Sequence, residues 1–341
     1  MSDLPVWMTE GRDAWVAELT SWITDAVGPP SAVTCVRERI WGAVHRVDMP
    51  DRVLFFKAAG PGGRHEPVIL ADVAGRWPGL VPDVLAADLD RAWLLMEDHG
   101  TPMWDSIDPA EQVEIFGQIL PHYAQMQRGS RGLVGRWIDA GTPDRRVARL
   151  PELLEGLLSG ELWCDELPLD ADDRRAIDAT VPVFAIVCAE LGASPFADAI
   201  DHSDLHGGNI LVGRGDPRLV DWGDSCITHP FASPFVIYQH AVAKLPAADR
   251  RAAAVHHRDA YLEAWDDDAS PDELRRAFAH AIWLAHVVRA LNFAHHLDDT
   301  GPDAAEWSRG IAQFLVRWQR HAALLDHPDD LIEAVASETE E

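Results

Sequence analysis

IDHSDLHGGNILVGRGDPRLVDWGDS, residues 200–225 of a 341-residue chain, is its most informative segment. Two short apolar runs, Asn209–Val212 and Arg218–Val220, flank Gly213–Pro217, which predicts a β-hairpin with a polar loop at each end. The leading loop carries His202, Asp204, His206 and Asn209, and the trailing one carries Asp221 and Asp224. A hairpin returns its second strand beside its first, so Asp204, Asn209 and Asp221 can converge on one point. A carboxylate with a carboxamide oxygen makes a hard, oxygen-only site suited to Mg²⁺ on a polyphosphate. A second carboxylate beside it can accept the proton of an attacking hydroxyl. The plainer reading of the same residues is an ordinary polar turn.

Working outward, the texture differs on the two sides of Gly100. Before it, RDAWVAELTSWITDAV (residues 12–27) places Trp15, Leu19, Trp22 and Ile23 on one side of a helix. VTCVRERI, AVHRVDM and RVLFFK, between Val33 and Lys57, then read as three successive antiparallel strands. A Gly/Pro-rich break at 60–63 leads to a helix from about Pro67 to Arg76, with proline in its first turn. Further strands are expected near 84–88 and 92–97. After Gly100 the candidate helices are 108–127, 143–159, 171–191, 249–265, 271–296 and 303–324, and an acidic tail at 338–341 reads as disordered.

Length points to two domains or one two-lobed unit, and a 47% apolar, 25% charged composition supports a folded core. No uninterrupted apolar run reaches the roughly 18 residues of a membrane span, and the acidic first 30 residues lack the features of a signal peptide. The four cysteines, Cys35, Cys164, Cys188 and Cys226, show no C-x-x-C spacing and give no disulfide framework. These features lead us to expect a cytoplasmic protein. The net charge of −27 disfavours nucleic acid as a partner. Residues 1–97 carry 9 basic and 14 acidic residues, and residues 98–341 carry 20 and 42. The acidic excess of the second part reads either as a field that attracts a cation or, more simply, as a solvated acidic surface. Of the 29 basic residues, only Lys57 and Lys244 are lysine.

The run His202-Ser203-Asp204-Leu205-His206-Gly207-Gly208-Asn209, followed by Asp221, resembles the catalytic loop and metal-binding aspartate of kinase-like phosphotransferases. It is more similar still to the aminoglycoside phosphotransferase family, whose loop reads H-x-D-x-H-x-x-N. The resemblance covers most of residues 33–240. It implies an α+β, protein-kinase-like two-lobed fold, with a small mainly β N-terminal lobe (1–97) and a large mainly helical C-terminal lobe (98–341). It also implies ATP and Mg²⁺, with Asp204 as the catalytic residue, Asn209 and Asp221 as metal ligands, and His202 packed under the loop.

By the same resemblance Lys57 grips the α- and β-phosphates, and the scarcity of lysine elsewhere argues against an incidental surface residue. Its carboxylate partner would be Glu66, the only Glu between Lys57 and Glu97. Because Pro67 disfavours a helical Glu66, we expect that residue at the helix entrance, in a loose or nucleotide-dependent pairing or as a simple capping carboxylate. Leu94–Gly100 resembles the family's hinge, with the Glu97 carbonyl and His99 amide reading the adenine edge and Met96 behind the base. The phosphate-covering loop departs from the G-x-G-x-x-G of protein kinases. Arg39–Val44 holds one glycine, so the amides of Gly42 and Ala43 are what it can bring near a phosphate. No D-F-G or A-P-E appears, and about a hundred mostly helical residues separate hinge from catalytic loop, which disfavours protein substrates.

Candidate acceptor-binding residues are Asp224, Trp283, His286, Arg289 and Phe293, with Asn292, His296 and Asp266–Asp268 as further candidates. On the 271–296 helix they recur every three or four residues and can share one face, which lines a cleft or meets solvent. Asp266–Asp268 reads more simply as a loop or cap. The expected activity is transfer of a phosphoryl group from ATP, or GTP, to a hydroxyl of a small molecule. The acceptor classes are an antibiotic (aminoglycoside, nucleoside or related natural product) or a metabolite such as a sugar, choline-like amine or amino alcohol. A catalytically inactive nucleotide-binding module is the third reading, and intact Lys57, Asp204, Asn209 and Asp221 argue against it. The expected assembly is a monomer or homodimer, with no membrane or nucleic-acid partner.

Overall fold

The computed structural model describes residues 4–160, 163, 167–297 and 304–338. The N-terminal part is a five-stranded antiparallel sheet, built from β1 (Ala32–Arg39), β2 (Gly42–Asp48), β3 (Val53–Ala59), β4 (Val84–Asp88) and β5 (Trp93–Glu97) in the order β1-β2-β3-β5-β4. Helix α1 (Arg12–Val27) covers one face, and α2 (Glu66–Arg76) covers the other. Side-chain alternation sorts the strands between the two. Leu54, Phe56 and Ala58 of β3 and Trp93 and Leu95 of β5 join Trp15, Leu19 and Ile23 of α1 in one core. Leu94 and Met96 pack with Val68, Ile69 and Val73 on the α2 side. Because both faces are covered, β5 reads as an unbroken apolar run. The same alternation turns Lys57 away from the α1 core and toward α2.

A short strand, β6 (Gly100–Pro102), leads into the helical part. Its helices are α3 (Met103–Ser106), α4 (Pro109–Gly129), α5 (Val134–Asp139), α6 (Leu150–Ser159), α7 (Ala171–Gly192), α8 (Pro234–His240), α9 (Ala247–Leu262), α10 (Pro271–Leu297), α11 (Ala304–His321) and α12 (Pro328–Val335). Asp108 and Asp170 cap α4 and α7 by accepting two backbone N–H groups each, which places those starts where the sequence expects them. The hairpin forms from β8 (Ile210–Gly213) and β9 (Arg218–Leu219), with Ile210 opposite Leu219 and β6 on the outer side of β8. β7 (Ala199–Asp201) and β10 (Cys226–Thr228) pair beneath it.

Several expectations are corrected. Residues 143–146 are not helical: the Ile227 amide donates to the Pro143 carbonyl and the Arg145 amide donates to the Ile227 carbonyl, both at 2.9 Å, so this segment extends the β7–β10 pair. The α-helix starts only at Leu150, where Pro151 fits its first turn. The 303–324 helix is observed as α11 and a 3₁₀ turn, with residue 303 outside the described residues. Glu338 is not a free tail residue, because its carboxylate lies 3.3 Å from His321 Nε2, whereas residues 339–341 lie outside the described residues. Cys164 also lies outside them, and Cys35, Cys188 and Cys226 are free thiols. Among the described residues one helix, α10, is long and apolar enough to cross a membrane, and 83% of its apolar window is buried inside the protein. It is the core helix of the helical part, packed chiefly against α11.

Candidate active site

The loop between β7 and β8 is held from below. The buried carboxylate of Asp201 accepts the Ser203 amide at 3.0 Å and the hydroxyls of Ser203 and Ser233 at 2.8 Å each. The His202 amide donates to the Tyr123 hydroxyl at 2.9 Å, and His202 Nε2 lies 2.9 Å from the Val220 carbonyl, with the ring against Trp222. His202 is thus buried under the loop, and burial pushes its imidazole down toward the neutral form. Ser203 adopts a left-handed φ of 61° and Asp221 one of 65°. Non-glycine residues hold such angles when their surroundings over-determine them, commonly at functional sites.

Asp204 is the centre of the first cluster. The Asn209 amide nitrogen donates to both its carbonyl and its Oδ2 at 2.9 Å, which turns the Asn209 amide oxygen away from Asp204. His206 Nε2 lies 3.3 Å from Oδ2, and Arg289 lies 3.5 Å from Oδ1 while also donating to the Ser203 carbonyl. Burial by itself raises the Asp204 carboxyl. The His206 hydrogen bond and the charges of His206 and Arg289 outweigh it, so the group stays ionised below the usual carboxylate range. The His206 ring in turn stacks on Trp104 at 4.5 Å. Gly208 permits that stack, since a Cβ there would lie 2.3 Å from the Trp104 ring.

The second cluster joins the sheet to the helical part. Lys57 Nζ lies 2.6 Å from Glu66 Oε1 and 2.7 Å from Asp221 Oδ1, and Arg37 Nη2 lies 3.3 Å from Asp221 Oδ2. Glu66 Oε1 also accepts the Trp222 amide at 3.0 Å, tying α2 to the segment after the hairpin. Burial lowers the Lys57 ammonium, but Asp221 and Glu66 more than offset it and its pKa stands above the ordinary lysine value. Asp221 is held below its ordinary value, because Lys57 and Arg37 outweigh the effect of burial. The expectation of a loose or nucleotide-dependent Lys57–Glu66 pair is corrected. Glu66 is the first residue of α2 with Pro67 second, a place where proline costs no hydrogen bond.

Between and beyond these clusters lies a cavity of about 280 Å³. Asp204, Asp221 and Asp224 face it from the hairpin, and Trp41, Phe293 and Trp307 form an aromatic wall. The Trp41 and Trp307 ring centroids stand 6.5 Å apart, those of Phe293 and Trp307 4.7 Å, and His296 Nε2 lies 3.2 Å from Asp224. Trp41 comes from the β1–β2 turn and Trp307 from α11, so both parts of the molecule wall this space.

The model of the phosphotransferase enzyme family matches residues 69–270, more than half of the chain and inclusive of the whole 200–225 segment. The chain belongs to that family. It is a small-molecule phosphotransferase with a kinase-like fold. Among solved structures, it is similar to choline kinase LicA from Streptococcus pneumoniae, at 14% identity and a TM-score of 0.59 over 90% of this chain and 99% of that one. A choline/ethanolamine kinase family protein from Mesorhizobium loti aligns at 15% identity and a TM-score of 0.58, over 95% and 98%. A thermostable mutant of an aminoglycoside phosphotransferase, in ternary complex with ADP and hygromycin B, aligns at 12% identity and a TM-score of 0.54, over 88% and 98%. No curated protein matches the chain in sequence.

Other residues singled out in this phosphotransferase fall in different places. Arg289 and Phe293 line the cavity, as does Asp224. Trp283 and His286 do not. Trp283 is fully buried, stacks on Trp318 and donates to its carbonyl at 2.7 Å, and His286 is buried facing Glu338 and Phe235. Helix α10 is buried nearly all round, so helical spacing alone cannot separate its cleft side from its core side. Asp266–Asp268 lie in a turn, with Asp268 paired to Arg128 at 3.0 Å, away from the cavity. Gly42 and Ala43 begin β2 in the sheet ladder, and Ala43 is fully buried in the α1-side core rather than in an open loop. Met96 is buried in the α2-side core, the Glu97 carboxylate pairs with Arg52 at 2.6 Å, and His99 Nε2 accepts the Asp83 amide at 3.3 Å. Sequence reading passed over Arg37, Trp307 and Asp201. Arg37 and Trp307 lie outside the hairpin motif, and Asp201 stands directly before it, with alternation as its only signal.

Proposed function

We propose that this enzyme transfers the terminal phosphoryl group of Mg²⁺-ATP to a hydroxyl of a compact small molecule bound in the cavity beside Asp204. The observation that carries the reading is the facing pair of clusters, Lys57–Glu66–Asp221 and Asp204–Asn209, which meet at one cleft. The lobes divide after Glu97, with residues 1–97 on the nucleotide side and 98–341 supplying the catalytic loop and acceptor wall.

The donor set fits a hard divalent cation. Asp221 is ionised, and Asn209 has its amide nitrogen committed to Asp204, which leaves Oδ1 as the atom it offers. Asn209 and Asp221 would hold Mg²⁺, which supplies charge neutralisation across the phosphates. Lys57, fixed by Glu66, orients the phosphate tail. Asp204 orients the acceptor hydroxyl and receives its proton. Its depressed pKa makes it a weak base, which suits a reaction in which the proton leaves late and positioning does most of the work.

The acceptor is read as a hydroxylated natural-product antibiotic, phosphorylated for resistance or self-protection, with one ring entering the cavity. A metabolite of the amino-alcohol or sugar type is the second reading, favoured by the small volume and by carboxylates facing an aromatic wall. The test is a panel of kanamycin, hygromycin B, uridine, glucose, choline and ethanolamine, each incubated with enzyme and Mg²⁺-ATP. ADP release and the gain of one phosphoryl group in acceptor mass are the readouts. Acceptor-dependent ADP release with a matching mass gain is the expected result. Failure of the protein to bind ATP would remove the reading.

A further inference from the structure

The turn that would be expected to cover the phosphates is not built as a flap. Ile40 and Trp41 alone join β1 to β2, the Trp7 indole donates to the Arg39 carbonyl at 2.8 Å, and the Gly60 amide donates to the Trp41 carbonyl at 2.9 Å. Gly60 sits so close that a Cβ there would lie 2.5 Å from the Ile40 carbonyl oxygen. A turn pinned on both sides has few backbone amides to wrap around a polyphosphate.

Positive charge reaches the same place by another route. The β1–β2 register shifts between Cys35 and Arg37, so that Arg37 stands opposite Val44, which in turn stands opposite Lys57. Cross-strand partners project to one face, and the bulge therefore brings Arg37 into the row of Lys57. Both side chains reach Asp221, Lys57 at Oδ1 and Arg37 at Oδ2. Two cations thus face two carboxylates, Glu66 and Asp221, in a cluster without net charge. A cation held by Asp221 would repel the guanidinium from Oδ2 and leave it free to meet phosphate oxygens, which a guanidinium binds through paired N–H groups.

We infer that Arg37 is a phosphate-binding residue of the nucleotide site, supplying from a bulged strand the charge that a glycine-rich flap would supply through amides. This rests on the phosphotransferase reading above. The experiment measures the affinity of wild type, Arg37→Met and Arg37→Lys for adenosine and for AMP-PNP with Mg²⁺, by calorimetry, with thermal melts confirming that each variant is folded. Arg37→Met should weaken AMP-PNP by about tenfold and leave adenosine within twofold, and Arg37→Lys should recover part of the loss. Unchanged or tighter AMP-PNP binding by Arg37→Met would show that the arginine is only a brace or a placeholder on Asp221. Equal weakening of adenosine and AMP-PNP would also overturn the assignment. Wild type that binds neither compound would overturn the nucleotide reading itself.

Discussion

The two ends of the cleft are built on different principles. At the Asp221 end, Lys57, Arg37, Glu66 and Asp221 lie within 2.6–3.3 Å of opposite charges contributed by the sheet and by the helical part. At the other end three rings, Trp41, Phe293 and Trp307 at centroid separations of 4.7–6.5 Å, share the cavity wall with Asp204, Arg289 and the Asp224–His296 pair. The buried Lys57–Glu66 pair is held closely, because losing one partner would leave a charge stranded in a low-dielectric site. Rings in tilted contact, as these are, tolerate shifts, since dispersion and quadrupole terms vary gently with offset. One end is therefore suited to a single, highly charged ligand, and the other can be retuned by changing side-chain shape.

The sharpest way to break this comparison is at Asp204, where the ends meet. Asp204→Ala should lower kcat by about 10²- to 10⁴-fold, the range for loss of a general base, while AMP-PNP affinity stays within threefold in calorimetry. Turnover within tenfold of wild type would take Asp204 out of its role. A smaller effect is expected at the aromatic wall. Trp307→Ala should raise KM for the best acceptor about tenfold and leave KM for ATP unchanged in steady-state assays. A rise in KM for ATP instead would mean that the wall serves the nucleotide, and the two ends would not be separable.

The smallest effect is in pH dependence. His206 is the first of the groups that hold the Asp204 carboxyl down against burial. Because the folded pKa is depressed, the ionised and active form persists well into acid and is lost only as pH falls through that low value. His206→Ala removes the bond, raises the Asp204 pKa and should move the acid limb of kcat/KM toward neutral pH. An acid limb that stays in place would assign the depression to Arg289 instead.

Legibility in the sequence followed how local each signal was. The hairpin, α1, β1–β3 and the starts of α4 and α7 were readable because alternation, 3.6-residue periodicity and an aspartate cap act over a few neighbours. Convergence of Asp204, Asn209 and Asp221 could be expected because a hairpin forces its two ends together, whereas Lys57, on β3, stood out by the scarcity of lysine and by the family resemblance. Extended 143–146, by contrast, owes its shape to Ile227, more than eighty residues away, and no local pattern announces that pairing.

Local pattern was enough to give the identity and order of the charged groups: a lysine at a strand end, two carboxylates and an amide around a hairpin, and a glutamate ahead of a helix. Which of them touch was decided by tertiary structure. Proline after Glu66 argued against a tight pair, yet α2 packs so that Glu66 accepts from both Lys57 and the Trp222 amide, and burying a carboxylate is costly unless it is paired and hydrogen-bonded in this way. A one-residue bulge in β1 moved Arg37 into the row of Lys57. On α10, Arg289 and Phe293 went to the cleft while Trp283 and His286 went to the core. Helical spacing is equal on every face, and only the packing of α11 and the catalytic loop around that helix gives the faces different surroundings.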